Sequence, residues 1–400
     1  MTSNQPAKAT PPTSKLDWNN LGFSEREVNG HVRVTYRDGQ WQDLEWHTDP
    51  NLNLHVAATC LNYGQQCFEG IKAFRTSRDS VHIFRPQENS KRLNLSARMA
   101  SMPEVPEDLF LRALKAAVAG NLEFVPPYKP KASNGALYIR PLLIASGPRL
   151  ILDSPSEFTF IVWVSPVGSL YGSSSSIPAV DAFVLDTFDR TAPLGTGHTK
   201  LGGNYAPVFR PTAEAKKKGY PITLHLDSAT RTHIDEFSTS NALAIKQNHQ
   251  GDQVTLVVPE STSILRSVTK LSVCQIAEKI CGWKVELRPV SFEEVKANSF
   301  SEFMAAGTAA GITPVRSISF NSKPPILLKG DGSSDDDHQG PKFGLPEDNE
   351  VIRIDLGDGK TAGANAQRLF DELTSYQCGD QPDQFGWLWP AEGISAQDVI

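Results

Sequence analysis

The sequence has no apolar run approaching the roughly 18 residues that a membrane-spanning helix needs. It has no basic excess either: 39 Lys and Arg stand against 45 Asp and Glu, a formal net charge of −6. That balance argues against a nucleic-acid-binding protein, which carries a basic patch or stripe. Cysteine is scarce and odd in number, at Cys60, Cys67, Cys274, Cys281 and Cys378, with no C-x-x-C and no Cys/His group at zinc spacing. Neither a disulfide framework nor a metal site is expected, and the thiols read as reduced, in an intracellular compartment. The opening stretch MTSNQPAKATPPTSK holds no apolar core and no arginine, so it reads neither as a secretory signal nor as a mitochondrial presequence. Residues 1–20 are expected to form a disordered tail and the compartment to be cytoplasmic, with the mitochondrion as the second choice. No internal repeat is visible.

What is present describes an ordinary globular chain, 39% hydrophobic and 21% charged, with length enough for two or three domains. HVRVTYRDGQW (31–41) alternates around an Asp-Gly turn, a hairpin signature. VHIFRP (81–86), ALYIRPLLIA (136–145) and FTFIVWVSPV (158–167) are apolar runs of buried-strand length, while NSKRLNLSARMA (89–100) and EDLFLRALKAAVAGNLEF (107–124) have helical spacing. In the second half, strands are expected at 182–188, 222–227, 242–246 and 254–259, and helices over 211–219 and 262–283. YGSSSSIP (171–178) has linker composition, and LLKGDGSSDDDHQGPK (327–342) reads as a solvated insertion without a calcium-loop pattern. The expected fold class is mixed α/β (α+β). After the tail come a small N-terminal domain (21–170), a linker (171–180) and a larger C-terminal domain (181–400).

The stretch GHTKLGGNYAP (197–207) sets Lys200 among small residues. A lysine amine attacks an aldehyde when it is partly neutral, a state that desolvation or a nearby cation favours. Pyridoxal phosphate is the cofactor that uses such an amine most. It needs the lysine, an acid that keeps its ring nitrogen protonated, and a phosphate cup of arginine and backbone N–H groups. Arg190, the flexible pair Gly202–Gly203, Glu236 at the end of a predicted strand, and Thr308 in GTAAGITP are candidates for these parts. Thr262 and Ser263 could cap a helix whose first free N–H groups, on Ile264 and Leu265, would seat a phosphate. Singly, each has an ordinary explanation as a surface lysine, a solvated carboxylate or a capped helix. Composition and spacing alone reach only an α/β enzyme with an unassigned site.

The order of the motifs goes further. NYGQQCFEGIKAF (62–74), IFRPQENSKRL (83–93), LYIRP (137–141), KLGGNY (200–205), EFSTSN (236–241) and GTAAGITPV (307–315) resemble, in that order, segments of the branched-chain amino-acid aminotransferases. These are pyridoxal-phosphate enzymes of fold type IV, and the likeness, to a member of fungal or bacterial type, runs from about residue 21 to 398. The resemblance implies a two-domain fold with the cofactor between a small N-terminal and a larger C-terminal domain. It implies Lys200 as the Schiff-base lysine and proton shuttle, and Glu236 as the partner of the pyridine nitrogen. Arg92, Ile264, Leu265 and Thr308 would hold the phosphate, Arg190 would lie near the cofactor, and Tyr205 would bond its phenolic oxygen. Thr239, Ala309 and Ala310 would bind the substrate α-carboxylate; Tyr63, Phe68, Tyr138 and Tyr205 would wall the side-chain pocket. Arg140 would meet the distal carboxylate of glutamate. The loop SGPRLIL (146–152) matches one that reaches a partner subunit's site, which implies a homodimer.

The implied activity is ping-pong transamination between L-leucine, isoleucine or valine and 2-oxoglutarate, in amino-acid biosynthesis. The alternative is a specialised biosynthetic transaminase of the same fold acting on another apolar amino acid or amine. A D-amino-acid transaminase and aminodeoxychorismate lyase stand further off. Three departures bear on the choice: Asn62 stands where many members have histidine, Ala310 and Thr313 where many animal members have a C-x-x-C, and Arg149 adds a charge to the 146–152 loop.

Overall fold

The Asp-Gly turn forms as its sequence predicts. Asp38 and Gly39 both take positive φ (54° and 81°) and fold His31–Arg37 back onto Gln40–Trp41, with Arg37 opposite Gln40. The protein is described by a computed structural model covering residues 10–128, 135–168, 177–248, 253–328 and 342–391. Most of the expected linker (171–176) and of the expected insertion (329–341) lies outside the described residues. Among those described, no helix is long and apolar enough to cross a membrane.

The first sheet has nine strands. Its main path runs Gln40–Trp41, His31–Arg37, Phe158–Val167, Ala136–Ile144, Ile71–Arg75, Val81–Phe84, Leu388–Pro390, and Gln66–Phe68 pairs beside Ala136–Ile144. Ala136–Ile144 and Phe158–Val167 pair antiparallel from Ala136 opposite Val167 to Ile144 opposite Thr159. Strand alternation then sorts the side chains. Leu137, Ile139, Leu143, Phe160, Val162 and Val164 share a core with the helices Pro86–Met99 and Glu107–Ala119. Tyr138, Arg140 and Trp163 take the opposite face.

The second sheet is also nine-stranded. Ile234–Phe237, Ile222–Leu226, Val180–Val184, Gly311–Asn321, Glu302–Gly307 and Asn241–Gln247 follow one another, and Glu236 pairs with Asn241 to close the ring. Closure removes two strand edges that would otherwise need covering. Leu224, Phe237, Ala244, Phe303 and Val315 share its core. Val180–Val184 runs parallel to Ile222–Leu226. Parallel neighbours require a long crossover, and this crossover carries Arg190, Lys200 and Tyr205.

Several expected elements end early or start late: the helix expected over 107–124 ends at Ala119, the strand expected over 182–188 ends at Val184, and another bears on the site. The helix expected over 262–283 spans Val268–Lys279. Ser267 is extended and its hydroxyl caps the Lys270 N–H, which starts the helix there. The earlier cap candidates are engaged elsewhere: the Thr262 hydroxyl donates to Pro193 O (3.1 Å), and Ser263 O accepts from Arg190.

Candidate active site

The Lys200 backbone is clamped to the first sheet and the helix packed on it. Its N–H donates to Ser96 Oγ (2.9 Å) and its carbonyl accepts from the Phe68 N–H (3.1 Å). Gly202 allows this approach, because a Cβ there would lie 2.8 Å from Gln66 Nε2; Gly203 faces open space. The Lys200 amine donates to the Tyr205 hydroxyl (3.2 Å) and stands 4.6 Å from the Phe68 ring centre. It has no carboxylate partner among the described residues.

Helix Pro86–Met99 serves the same region through a polar stripe. Asn89, Arg92 and Ser96, at i, i+3 and i+7, share one face and all are buried. Arg92 is 6% exposed, so it is not a surface arginine. Its guanidinium makes two bonds of 2.7 Å to the fully buried Glu69 carboxylate and one of 2.9 Å to Arg266 O. Asn89 adds a third donor to Glu69 (2.7 Å). Glu69 belongs to the FEG motif, yet sequence reasoning gives it no role; a carboxylate beside an expected phosphate-binding arginine is the signal that would have found it.

At the closed end of the second sheet, Glu236 is buried and fully bonded. Oε1 accepts from Arg190 and from the Leu265 N–H (3.1 Å), and Oε2 from Asn241 Nδ2 (2.7 Å). Arg190 is held in turn by Gly197 O and Ser263 O. Burial pushes the Glu236 carboxyl above its ordinary pKa, against the opposing pull of Arg190 and the two N–H donors. A buried carboxylate in that state gains from one more cationic or N–H partner.

These contacts overturn the helix start on which the expected phosphate seat rests. Leu265 spends its N–H on Glu236, and neither Ile264 nor Leu265 begins the helix. The first helical N–H groups belong to Val268 and Thr269, which lack intrahelical acceptors. Arg92, bonded to Arg266 O, stands beside them. Three candidates for the phosphate therefore meet here: two N–H groups at a twelve-residue helix start and one guanidinium.

The Thr308–Ala310 turn joins two strands at the Gly307–Gly311 pair. Its N–H groups make no hydrogen bond among the described residues. The Thr239 turn lies beside it, since a Cβ on Gly307 would fall 3.4 Å from Thr239 O. Lys72, in the FEGIKAF segment but without an expected role, reaches from the first sheet to donate to Ala309 O (2.8 Å). Burial lowers its amine to about 8.

Phe68, Tyr138 and Arg140 come together on the free face of the first sheet. The guanidinium lies 4.9 Å from the Phe68 ring and 5.4 Å from Tyr138. Tyr138 is seated there because residue 70 is glycine; a Cβ would overlap its hydroxyl. Phe68 meets Tyr205 edge-on at 5.1 Å, which links this wall to Lys200. Tyr63 stands apart, 46% exposed, with its hydroxyl donating to Leu150 O (2.6 Å). Arg149 pairs with Asp153 within its own loop.

His225 lies behind Glu236, its Nε2 2.8 Å from Ser238 Oγ. Burial, with a smaller push from Arg190, lowers its pKa from 6.5 to about 3. It is neutral when folded, so the unfolded chain takes up its proton first as pH falls. Its stabilisation is full above about pH 6.5 and is lost toward 3, at up to about 1.4 kcal/mol per pH unit. Asp235 and Glu236 shift the opposite way, so the test is a difference. Urea midpoints of the native chain should fall more steeply between pH 6.5 and 4.5 than those of His225→Gln. Equal slopes would mean that His225 is not held neutral.

The comparisons agree with this architecture. The family model "Amino-transferase class IV" matches residues 66–318. Transaminase AMT5 of Alternaria alternata is 47% identical over 97% of this chain and 95% of its own. The branched-chain amino acid aminotransferase gloG of Glarea lozoyensis is 46% identical over 80% of this chain and 86% of its own. Aminotransferase poxL of Penicillium oxalicum is 45% identical over 80% and 84%. The Escherichia coli branched-chain amino acid aminotransferase shares the fold at TM-score 0.68 and 23% identity, covering 91% of this chain and all of that one. The branched-chain amino acid aminotransferase of Thermobaculum terrenum, in its PLP-bound holo-form, does so at 0.68 and 19%, covering 92% of this chain and all of that one. The chain belongs to the class IV aminotransferases and has their fold-type IV architecture.

Proposed function

We propose that the chain is a pyridoxal-phosphate aminotransferase moving an amino group between L-leucine, isoleucine or valine and 2-oxoglutarate in two half-reactions. The observation that carries this reading is the Lys200 amine and the Arg140 guanidinium set on one ring, Phe68, neither with a carboxylate partner among the described residues; the buried Glu236 carboxylate is tied to the Lys200 segment through Arg190, which donates to Gly197 O. The residues fit the cofactor: Glu236 has raised proton affinity, and the N–H groups of Val268 and Thr269 face no helical acceptor. When bound, pyridoxal phosphate supplies an aldehyde and an electron-accepting ring. Arg92, Val268, Thr269 and the Thr308 hydroxyl would hold its phosphate. Glu236, kept in place by Arg190 and Asn241, would accept from the ring N–H and keep that nitrogen protonated.

Lys200 removes the proton from the substrate Cα, with Tyr205 orienting its amine. Thr239 and the N–H groups of Ala309 and Ala310 bind the α-carboxylate. Phe68 and Tyr138 wall an apolar side chain, and Arg140 receives a distal carboxylate. Val56, Leu150 and Leu152 are 83%, 85% and 87% exposed, and Leu150 O accepts from the Tyr63 hydroxyl. Such a patch supports a homodimer in which Tyr63 and the 146–152 loop complete the partner's pocket. A second reading keeps the chemistry and changes the amino acid. It is favoured by Arg149 and three exposed aliphatics in the 146–152 loop, and by relatives such as AMT5 and poxL whose names specify no branched-chain substrate.

Product analysis with each branched-chain amino acid plus 2-oxoglutarate is expected to yield glutamate and the matching 2-oxo acid. Glutamate alone and D-alanine serve as controls. Turnover with none of the three would sink the branched-chain reading; turnover of D-alanine in their place would move the chain to another class of the fold.

A further inference from the structure

We infer that Trp163 is a positioning residue that sets the preference for a second carboxylate on the substrate, by holding the Arg140 guanidinium in the cleft. The inference rests on the proposed function and deepens it. The antiparallel register places Trp163 directly opposite Arg140, on the same sheet face as Tyr138. Its ring centre is 5.7 Å from the guanidinium, and Phe68 and Tyr138 stand closer. The Arg140 guanidinium forms no ion pair or hydrogen bond among the described residues, and its buried Nε has no acceptor.

A guanidinium partly removed from water needs either an anion or a π-face. An ion pair would fill its in-plane N–H positions and neutralise it. Rings compensate the charge from above and below and leave those donors open to a carboxylate in the plane. Of the three rings, Phe68 also contacts Lys200 and Tyr205, and Tyr138 packs against Phe23. Trp163 makes no other ring contact and no side-chain hydrogen bond among the described residues. Indole is also the strongest of the aromatic faces for a cation. Its replacement therefore reads the state of Arg140 with little else disturbed.

The test compares the native holoenzyme with Trp163→Leu and Trp163→Phe. Calorimetry measures the Kd of glutarate, an unreactive dicarboxylate, and of 4-methylpentanoate, an unreactive branched monocarboxylate. Single-turnover kcat/KM is measured for L-glutamate and L-leucine. In Trp163→Leu the glutamate-to-leucine ratio and the glutarate preference should each fall about ten-fold, about 1.4 kcal/mol. Trp163→Phe should lose only about three-fold of each, a change that stays measurable if the leucine variant fails to fold. In an Arg140→Gln background the same Trp163 changes should no longer alter the ratio. An unchanged ratio overturns the inference, as does a fall that persists without Arg140, which would mark a pocket-volume effect. A native holoenzyme that neither reacts with glutamate nor binds glutarate overturns the proposed function itself.

Discussion

Lys200→Ala is expected to lose turnover by about 10⁴-fold or more, since it removes both the attachment point of the cofactor and the proposed general base. The visible absorbance of lysine-bound cofactor should vanish with it. The informative control is Lys72→Ala. Burial lowers the Lys72 amine to about 8, which makes it an amine that could itself react with an aldehyde. Geometry favours Lys200. The Lys72 amine is engaged with Ala309 O, whereas Lys200 lies against Tyr205 and Phe68 with its backbone clamped at Ser96. Lys72→Ala should therefore retain the lysine-bound absorbance. Loss of that absorbance in Lys72→Ala, with retention in Lys200→Ala, would reverse the assignment.

The second large effect is on stability. Glu69→Ala leaves the Arg92 guanidinium buried without its carboxylate, a change that typically costs about 3–5 kcal/mol. Urea unfolding should show a correspondingly lower midpoint. Burial of two charges is itself expensive, so replacing both partners tells the two effects apart. Glu69→Leu with Arg92→Met should recover much of the lost stability while weakening cofactor retention, because the phosphate-side guanidinium is gone. A loss within about 1 kcal/mol for Glu69→Ala would show that water or another group already compensates Arg92.

Most of the framework is legible in local pattern. The Asp38-Gly39 hairpin, the long strands before and after the 146–152 loop, and the helix carrying Arg92 follow from turn chemistry, alternation and helical spacing. The motif order points to the family. Contacts then link Lys200, Tyr205, Phe68, Tyr138 and Arg140 in one group and Glu236 with Arg190 in another. Two placements in the tertiary structure differ from the local expectation. The helix start moves from Thr262 and Ser263 to Val268, and the proposed phosphate seat with it, because several Ser and Thr residues compete as caps, and pattern cannot rank them. Tyr63 joins the exposed patch near Leu150, because its hydroxyl reaches a loop 87 residues away.

Residue type and local pattern set the chemistry available: which side chains are nucleophilic, acidic or cationic, which segments extend or coil, and which family order they follow. These are local properties, set by residue type and by neighbours within a few positions. Only the tertiary structure decided which of those groups meet. Arg92 finds Glu69 across 23 residues, Arg140 finds Trp163 through a strand register, and Lys72 finds Ala309 across 237 residues. Such contacts depend on sheet register and ring closure, where a one-residue slip of a strand would turn its side chains to the opposite face.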